Sequence, residues 1–273
     1  MKMNNVSPLR YPGGKTRACV KLDSILNKYF KIYDYKYIIS PFYGGGSFEF
    51  YIQNKYDITI IANDKFKPLA NFWNVCKNNN QSLCYELNKQ LNTITKSTFI
   101  ELRKNIIENI IGQDNNLQQA IDYFIINRCS FSGATLSGGF SEEASKKRFT
   151  KSSIEKINNL DLSKFTIYNK DFSDFMDNIL QDDEISNKSI IFLDPPYYLE
   201  KASKLYGNNG DMHEAFEHQQ LYEYISKRKN WLITYNNCEY IKNLYKDFII
   251  IDINWAYGMN KSKESSEIVI IGL

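Results

Sequence analysis

The residues of this chain that are best equipped for chemistry stand together in Asp194-Pro195-Pro196-Tyr197, at the end of the apolar run Ser189-Ile190-Ile191-Phe192-Leu193. Such a run reads as a buried strand. A Pro-Pro pair cannot continue a central strand, so the sheet must stop there and present Asp194 and Tyr197 at its carboxyl edge, where open α/β sheets hold their ligands. A carboxylate accepts hydrogen bonds, and the Pro195 carbonyl accepts without a competing N–H. Together they suit a planar amino group, with an aromatic ring alongside to stack on it.

A second cluster lies near the start. Tyr11-Pro12-Gly13-Gly14-Lys15-Thr16 is a turn leading into an amphipathic helix expected over residues 16–30. Gly14-Lys15-Thr16 has the tail of a phosphate-binding loop, but Leu9 stands where that loop needs its first glycine, which excludes a nucleoside triphosphatase of that type. Residues 35–42 read as a first strand, followed by Gly44-Gly45-Gly46-Ser47 and a helix. Strand, glycine turn and helix form a nucleotide-cofactor arrangement. The third glycine of a dinucleotide fingerprint would fall at Glu49, which argues against a pyrophosphate ligand. Asp64 closes the next strand, residues 57–64, about twenty residues after the glycines, where a carboxylate can meet ribose hydroxyls; capping the helix that follows is its simpler use.

Positioning these groups requires a mixed α/β sheet. Strands are expected at residues 165–168, 189–193, 230–235, 248–255 and 267–273, the last two as an antiparallel hairpin. Between residues 77 and 164 the strand–helix alternation lapses into helical and Asn-rich stretches, which suggests a mainly helical insertion that divides the chain at 1–76, 77–164 and 165–273. The insertion holds Asn127-Arg128, a loop over residues 129–141, and the basic cluster Lys146-Lys147-Arg148 with Lys151; a solvated face is the simpler reading of that cluster and phosphate contact the functional one.

Composition narrows the classes. No apolar run can span a bilayer, and the first residues lack a signal core, so a cytoplasmic protein is expected. Five scattered cysteines without a Cys-x-x-Cys pair are expected to be free thiols. A net charge of +3 is too small to require a polyanionic partner by itself. His213-Glu214-Ala215-Phe216-Glu217-His218 has its second histidine one residue too late for a zinc helix, and no metal is expected.

Taken in order, residues 9–15, residues 41–47, Asn63-Asp64, Asn127-Arg128 with the loop through Gly139-Phe140, Asp171-Phe172 and Asp194-Pro195-Pro196-Tyr197 resemble the motifs of the Dam-type N6-adenine DNA methyltransferases. The resemblance implies an α/β fold, a Rossmann-like seven-stranded class I methyltransferase sheet with an inserted target-recognition domain. It implies S-adenosylmethionine as cofactor, leaving as S-adenosylhomocysteine. Tyr11 and Lys15 would then close over its methionine end, Pro41, Phe42 and Gly44, Gly45, Gly46 and Ser47 surround it, Asp64 hold the ribose, and Asp171 with Phe172 the adenine. Asp194, Pro195, Pro196 and Tyr197 would act on an adenine flipped out of duplex DNA. Arg128, Ser130, Ser132, Lys146, Lys147, Arg148 and Lys151 are the candidates for DNA contact. A monomer is expected, and the family's setting allows a cognate restriction endonuclease as companion. One position departs from the pattern: the family usually carries an acid where Ser40 stands, and serine offers a cofactor ammonium no charge. Rival readings are a methyltransferase for RNA or for a protein glutamine amide, and a DNA-binding module without catalysis; the order of the motifs and the intact Asp194-Pro195-Pro196-Tyr197 favour the DNA enzyme.

Overall fold

The computed structural model describes residues 5–108, 116–198, 216–256 and 264–273. The polar segment 205–211, whose glycines and asparagines permit a flap, His213, and Lys261-Ser262-Lys263, which read as a solvated turn or a DNA-backbone contact, lie outside the described residues.

Seven strands form one sheet in the order β3-β2-β1-β4-β5-β7-β6. They are β1 (Tyr37–Ser40), β2 (Thr59–Asn63), β3 (Phe165–Tyr168), β4 (Ser189–Leu193), β5 (Trp231–Asn236), β6 (Ile249–Ala256) and β7 (Glu264–Gly272). β1 to β5 run parallel, and β7 inserts antiparallel between β5 and β6. The expected hairpin is therefore present, and its returning strand, not its first, joins the parallel sheet. β1 is shorter than the run of apolar residues suggested, because Pro41 cannot extend the ladder. β4 stops at Leu193 for the same reason.

Side chains alternate between two buried layers, as the strand period requires. Ile38, Ile60, Ile190, Phe192 and Leu232 face one cluster. Ile39, Ile61, Ile191, Leu193 and Ile233 face the other. The second layer is closed by α9 (Phe172–Ile179), α11 (His218–Ile225) and α12 (Glu239–Leu244). The first is closed by α1 (Cys19–Tyr29), α2 (Ser47–Tyr56) and α3 (Lys67–Asn78). Short α10 (Asp183–Asn187) precedes β4.

The chain between β2 and β3 adds α4 (Asn80–Lys89), α5 (Lys96–Glu108), α6 (Leu117–Cys129), α7 (Glu142–Lys147) and α8 (Lys151–Asn158). Their apolar faces continue the first layer, with Leu83, Phe99, Phe124, Phe149 and Ile154 in one cluster with Ile38 and Phe50. Phe124 stacks on Phe72 of α3 at 5.7 Å and 6°, so α6 shares its packing with the helix that follows β2. The loop after α6 closes on itself through a Ser130–Phe140 bridge and a Phe131 amide donating to the Gly139 carbonyl at 2.9 Å, as a loop or hairpin should. Among the described residues no helix is long and apolar enough to cross a membrane. The five cysteines are free.

Trp231 and Gly272 face each other across β5 and β7, and a Cβ on Gly272 would stand 2.1 Å from the Trp231 indole. With Trp231 fully buried there is no room to give. Gly272→Ala is expected to destabilise the fold by about 1–3 kcal/mol through overpacking. A urea midpoint equal to that of the wild type would show that the β5–β7 contact is not this tight.

Candidate active site

β1 and β4 are neighbours whose connections leave in opposite directions, β1 towards β2 and β4 towards β5, which makes their carboxyl ends the switch point of the sheet. A cavity of about 750 Å³ opens there, a size suited to a nucleoside cofactor and part of a second ligand. Tyr11, Lys15, Pro41, Phe42, Gly44, Gly45, Gly46, Ser47, Asp64, Asp171, Phe172, Asp194, Pro195, Pro196 and Tyr197 all line it. Five motif segments from far apart in the sequence are thus brought to one place.

Asp194 sits one residue past the end of β4. Lys15 Nζ lies 2.8 Å from both of its carboxylate oxygens and also donates to the Gly13 carbonyl at 3.0 Å. Thr234 Oγ1, on the adjacent strand β5, donates to Asp194 Oδ1 at 2.5 Å. Lys15 is 5% exposed, so it is no solvated lysine. Its ammonium also stands 5.0 Å from the centre of the Tyr197 ring. The Tyr197 hydroxyl donates to Glu267 Oε2 on β7 at 2.5 Å, which fixes the tilt of that ring. Tyr198, without a role from sequence, stacks on Tyr240 at 4.3 Å, and its carbonyl accepts from Asn236 Nδ2. It anchors the turn from the other side.

The glycine turn is shaped by tyrosines as much as by any ligand. A Cβ on Gly45 would come within 2.7 Å of Tyr11 Cβ, and one on Gly46, which has a φ of +66°, within 2.7 Å of the Tyr43 ring. The Gly44 amide donates to Asp64 Oδ2 at 2.9 Å, and the Phe66 amide to Asp64 Oδ1. Asp64 therefore braces the turn and the entry to α3 while lining the cavity. Asn63, fully buried, ties three strand ends together, donating to the carbonyls of Pro41 and Lys170 and accepting from the Lys170 amide. Asp171 caps α9 through the Ser173 amide and pairs with Lys65 at 2.9 Å. Phe42, Phe172 and Phe216 form an apolar slot, with ring centres 5.5–6.1 Å apart.

Sequence reasoning missed Glu49, Phe216, Thr234 and Glu267 at this site. Glu49 carried a signal, an acid inside the apolar run Phe48-Glu49-Phe50; Phe216 and Glu267 reach the cavity, and Thr234 reaches Asp194, only through tertiary packing. Glu49 lines the cavity, is 2% exposed, and accepts from Ser40 Oγ at 2.6 Å. Burial pushes its carboxyl up to about 7. Burial likewise raises Asp64 to about 6, against the pull of the Phe66 and Gly44 amides.

None of the candidate DNA contacts lines the cavity. Arg128 donates to the carbonyls of Arg148 and Pro8 at 2.7 and 3.0 Å. Asn127 exchanges hydrogen bonds with the Arg10 backbone, and Arg10 donates to the carbonyls of Arg128 and Ser130. Asn127-Arg128 thus bolts the end of α6 to the N-terminal segment that leads to Tyr11 and Lys15. Burial first, then the charges of Arg10 and Arg148, lower Arg128 to about 10. Ser130 is buried, its hydroxyl engaged by the Asn127 carbonyl and the Thr135 amide, and Ser132 is half-buried with a φ of +56°. Lys146, Lys147, Arg148 and Lys151 are exposed; the first two pair with Glu142 and Glu143 one turn back.

A parallel sheet with one reversed strand, and an acid-Pro-Pro-Tyr turn facing a glycine turn across its switch point, define a Rossmann-like methyltransferase. The chain belongs to the D12 class N6 adenine-specific DNA methyltransferase family, whose model matches residues 11–259. It is also similar to the Type II methyltransferase M.MjaIII of Methanocaldococcus jannaschii, with 24% identity over 265 residues that cover 89% of this chain and 88% of that protein. The protein is accordingly an adenine-N6 DNA methyltransferase.

Both raised carboxyls prefer the protonated folded state. The stability they contribute is complete below their ordinary values of 4.5 and 3.8 and is lost as pH rises through about 7 for Glu49 and about 6 for Asp64. Glu49→Gln should therefore make the fall in unfolding free energy of the ligand-free protein between pH 4.5 and 7 shallower. Urea titrations across that range measure the slope; identical slopes in the two proteins would mean that Glu49 does not titrate in this window.

Proposed function

We propose that the methyl donor is S-adenosylmethionine and that the acceptor is an adenine flipped from duplex DNA against Tyr197. The observation that carries this reading is the Asp194 carboxylate, held at the switch point by Lys15 and Thr234 inside a cavity that also receives the glycine turn.

The cavity fits such a cofactor in its chemistry. The Phe42, Phe172 and Phe216 slot suits a purine, and Asp64 and Asp171 stand where hydroxyl or amino donors of a nucleoside would need acceptors. When bound, the cofactor supplies an electrophilic methyl group on a sulfonium. The protein's part is to ready the nucleophile and place it.

The lone pair of an adenine N6 is delocalised into its ring. Acceptors for both amino hydrogens localise that pair and stabilise the positive charge that grows on nitrogen. Asp194 offers one acceptor and the Pro195 carbonyl the other. A carboxylate has about four lone-pair positions, so the contacts with Lys15 and Thr234 leave capacity for the substrate. Tyr197 provides the stacking face, and its bond to Glu267 limits the ring's rotation so that N6 stays in line.

DNA contact is assigned to the edge formed by α7, α8 and the loop after α6. Lys146, Lys147, Arg148 and Lys151 supply exposed cations for phosphates, with Arg128 and Ser132 beside them. After burial, the charge of Arg148 is the neighbour that lowers the basicity of Arg10, and those of Arg10 and Arg148 lower that of Arg128, an arrangement that a polyanion would relieve. The target-recognition role of residues 77–164, the engagement of Ser130 through its loop rather than its hydroxyl, and a monomeric enzyme acting in the cytoplasm belong to the same proposal.

Purified protein should transfer labelled methyl from S-adenosylmethionine to N6 of adenine in duplex DNA; label appearing only in RNA or protein would overturn the proposal. Asp194→Asn should lower turnover by at least about 100-fold, the scale of removing a transition-state hydrogen-bond partner. Cofactor affinity should change far less, and turnover within tenfold of the wild type would remove Asp194 from the mechanism. Replacing Lys146, Lys147 and Lys151 by alanine should weaken binding to all duplex sequences and flatten the log–log salt dependence by about 0.9 for each phosphate that is no longer neutralised. An unchanged salt slope would place the duplex on another face.

A further inference from the structure

Among the described residues, six carboxyl side chains line the cavity. Asp194 faces Lys15 and Thr234, Asp64 takes the Gly44 and Phe66 amides, and Asp171 takes Lys65 and the Ser173 amide. Glu267 takes the Tyr197 hydroxyl, and Glu217 is exposed to water. Glu49, as buried as Glu267, lies instead on the helix after the glycine turn and is not engaged by the Tyr197 hydroxyl. It is 2% exposed, and its carboxyl is met by neutral donors, its own backbone amide and the hydroxyl of Ser40, itself fully buried.

The surroundings of Glu49 leave room for a positive charge. It faces Lys15, Asp194, Cys19 and Tyr43. Lys15, the cation among them, is already held by Asp194, whose own charge opposes that of Glu49. A carboxylate removed from water with only neutral donors is costly, and a cation entering the cavity would relieve that cost. The first turn of α2, where Glu49 lies, favours the negative form through its amide dipoles.

Ser40 ends β1 and Glu49 lies on the helix that follows the glycine turn, yet their side chains touch at 2.6 Å. A buried acid thus reaches the cavity from the helix while its hydroxyl partner sits at the strand end.

We infer that Glu49 is the cavity's receptor for a cationic amine, the α-ammonium of the cofactor proposed above, and that Ser40 is its positioning hydroxyl. The inference rests on that choice of cofactor and adds the group that recognises its amino-acid end. The competing role is a neutral Glu49–Ser40 pair that merely fills the corner.

Calorimetric titration of the full chain with S-adenosylhomocysteine, and with its analogue carrying hydrogen in place of the α-amino group, separates the two. Wild-type protein should prefer the amine by at least about tenfold, the scale of one charge-assisted contact. Glu49→Gln should lower affinity for S-adenosylhomocysteine by about 10–100-fold and leave the des-amino analogue within about threefold. Ser40→Asp in the Glu49→Gln background should regain most of the preference, which a merely structural role would not allow. A wild type that binds both compounds equally overturns the inference without any variant, as does a Glu49→Gln protein that loses both alike. A wild type that binds neither compound overturns the choice of cofactor, and the inference falls with it.

Discussion

The Lys15–Asp194 ion pair is the contact on which the rest of the site depends. It joins a turn near the start of the chain to the end of β4, 179 residues later, and it does so with a cation that is almost wholly buried. A buried pair adds little net stability, because desolvation offsets most of the attraction, but removing one partner typically costs about 3–5 kcal/mol since the other charge is left alone. The pair therefore works as a constraint on geometry. It sets the distance between the N-terminal turn and the acid-Pro-Pro-Tyr turn, and the cavity is the space between them.

Two further sets of contacts keep that distance fixed. On one side, the Tyr11 ring lies over Gly44 and Gly45, so the glycine turn is shaped to the residue that leads into Lys15. On the other, Thr234 and Glu267 hold Asp194 and Tyr197 from strands β5 and β7. This gives the antiparallel β7 a use beyond closing the sheet. It brings a buried acid to the Tyr197 hydroxyl.

Much of this was legible in the sequence, and the rest was not for identifiable reasons. Strand order along the chain, the stops at Pro41 and Pro195, and the glycine turn follow from local rules about φ, missing donors and side-chain period, so they can be read without the fold. The placement of β7 between β5 and β6 depends on which edge a hairpin presents, and that is decided by packing. Glu267 and Thr234 read as ordinary strand residues because their partners are 70 and 40 residues away. Glu49 reads in the sequence as the position where a dinucleotide glycine is missing and as an acid between two phenylalanines, and neither shows what it faces. Its contact with Ser40 is what places it at the end of β1.

The same distinction applies to Asn127-Arg128. As a motif it stands beside a loop and a basic cluster, and a role on DNA follows from charge. Its hydrogen bonds run inward to the backbone of Pro8, Arg10 and Arg148. Because α6 also carries Tyr123 into the cavity wall, and the loop after it carries Thr135 and Leu136 there, a displacement of the helical segment would reach the cavity directly. Well-packed interfaces shift between discrete arrangements more readily than they deform. Contacts made on the outer face of α7 and α8 are thus mechanically joined, through the end of α6 and the Arg10 segment, to the turn that holds Lys15 against Asp194.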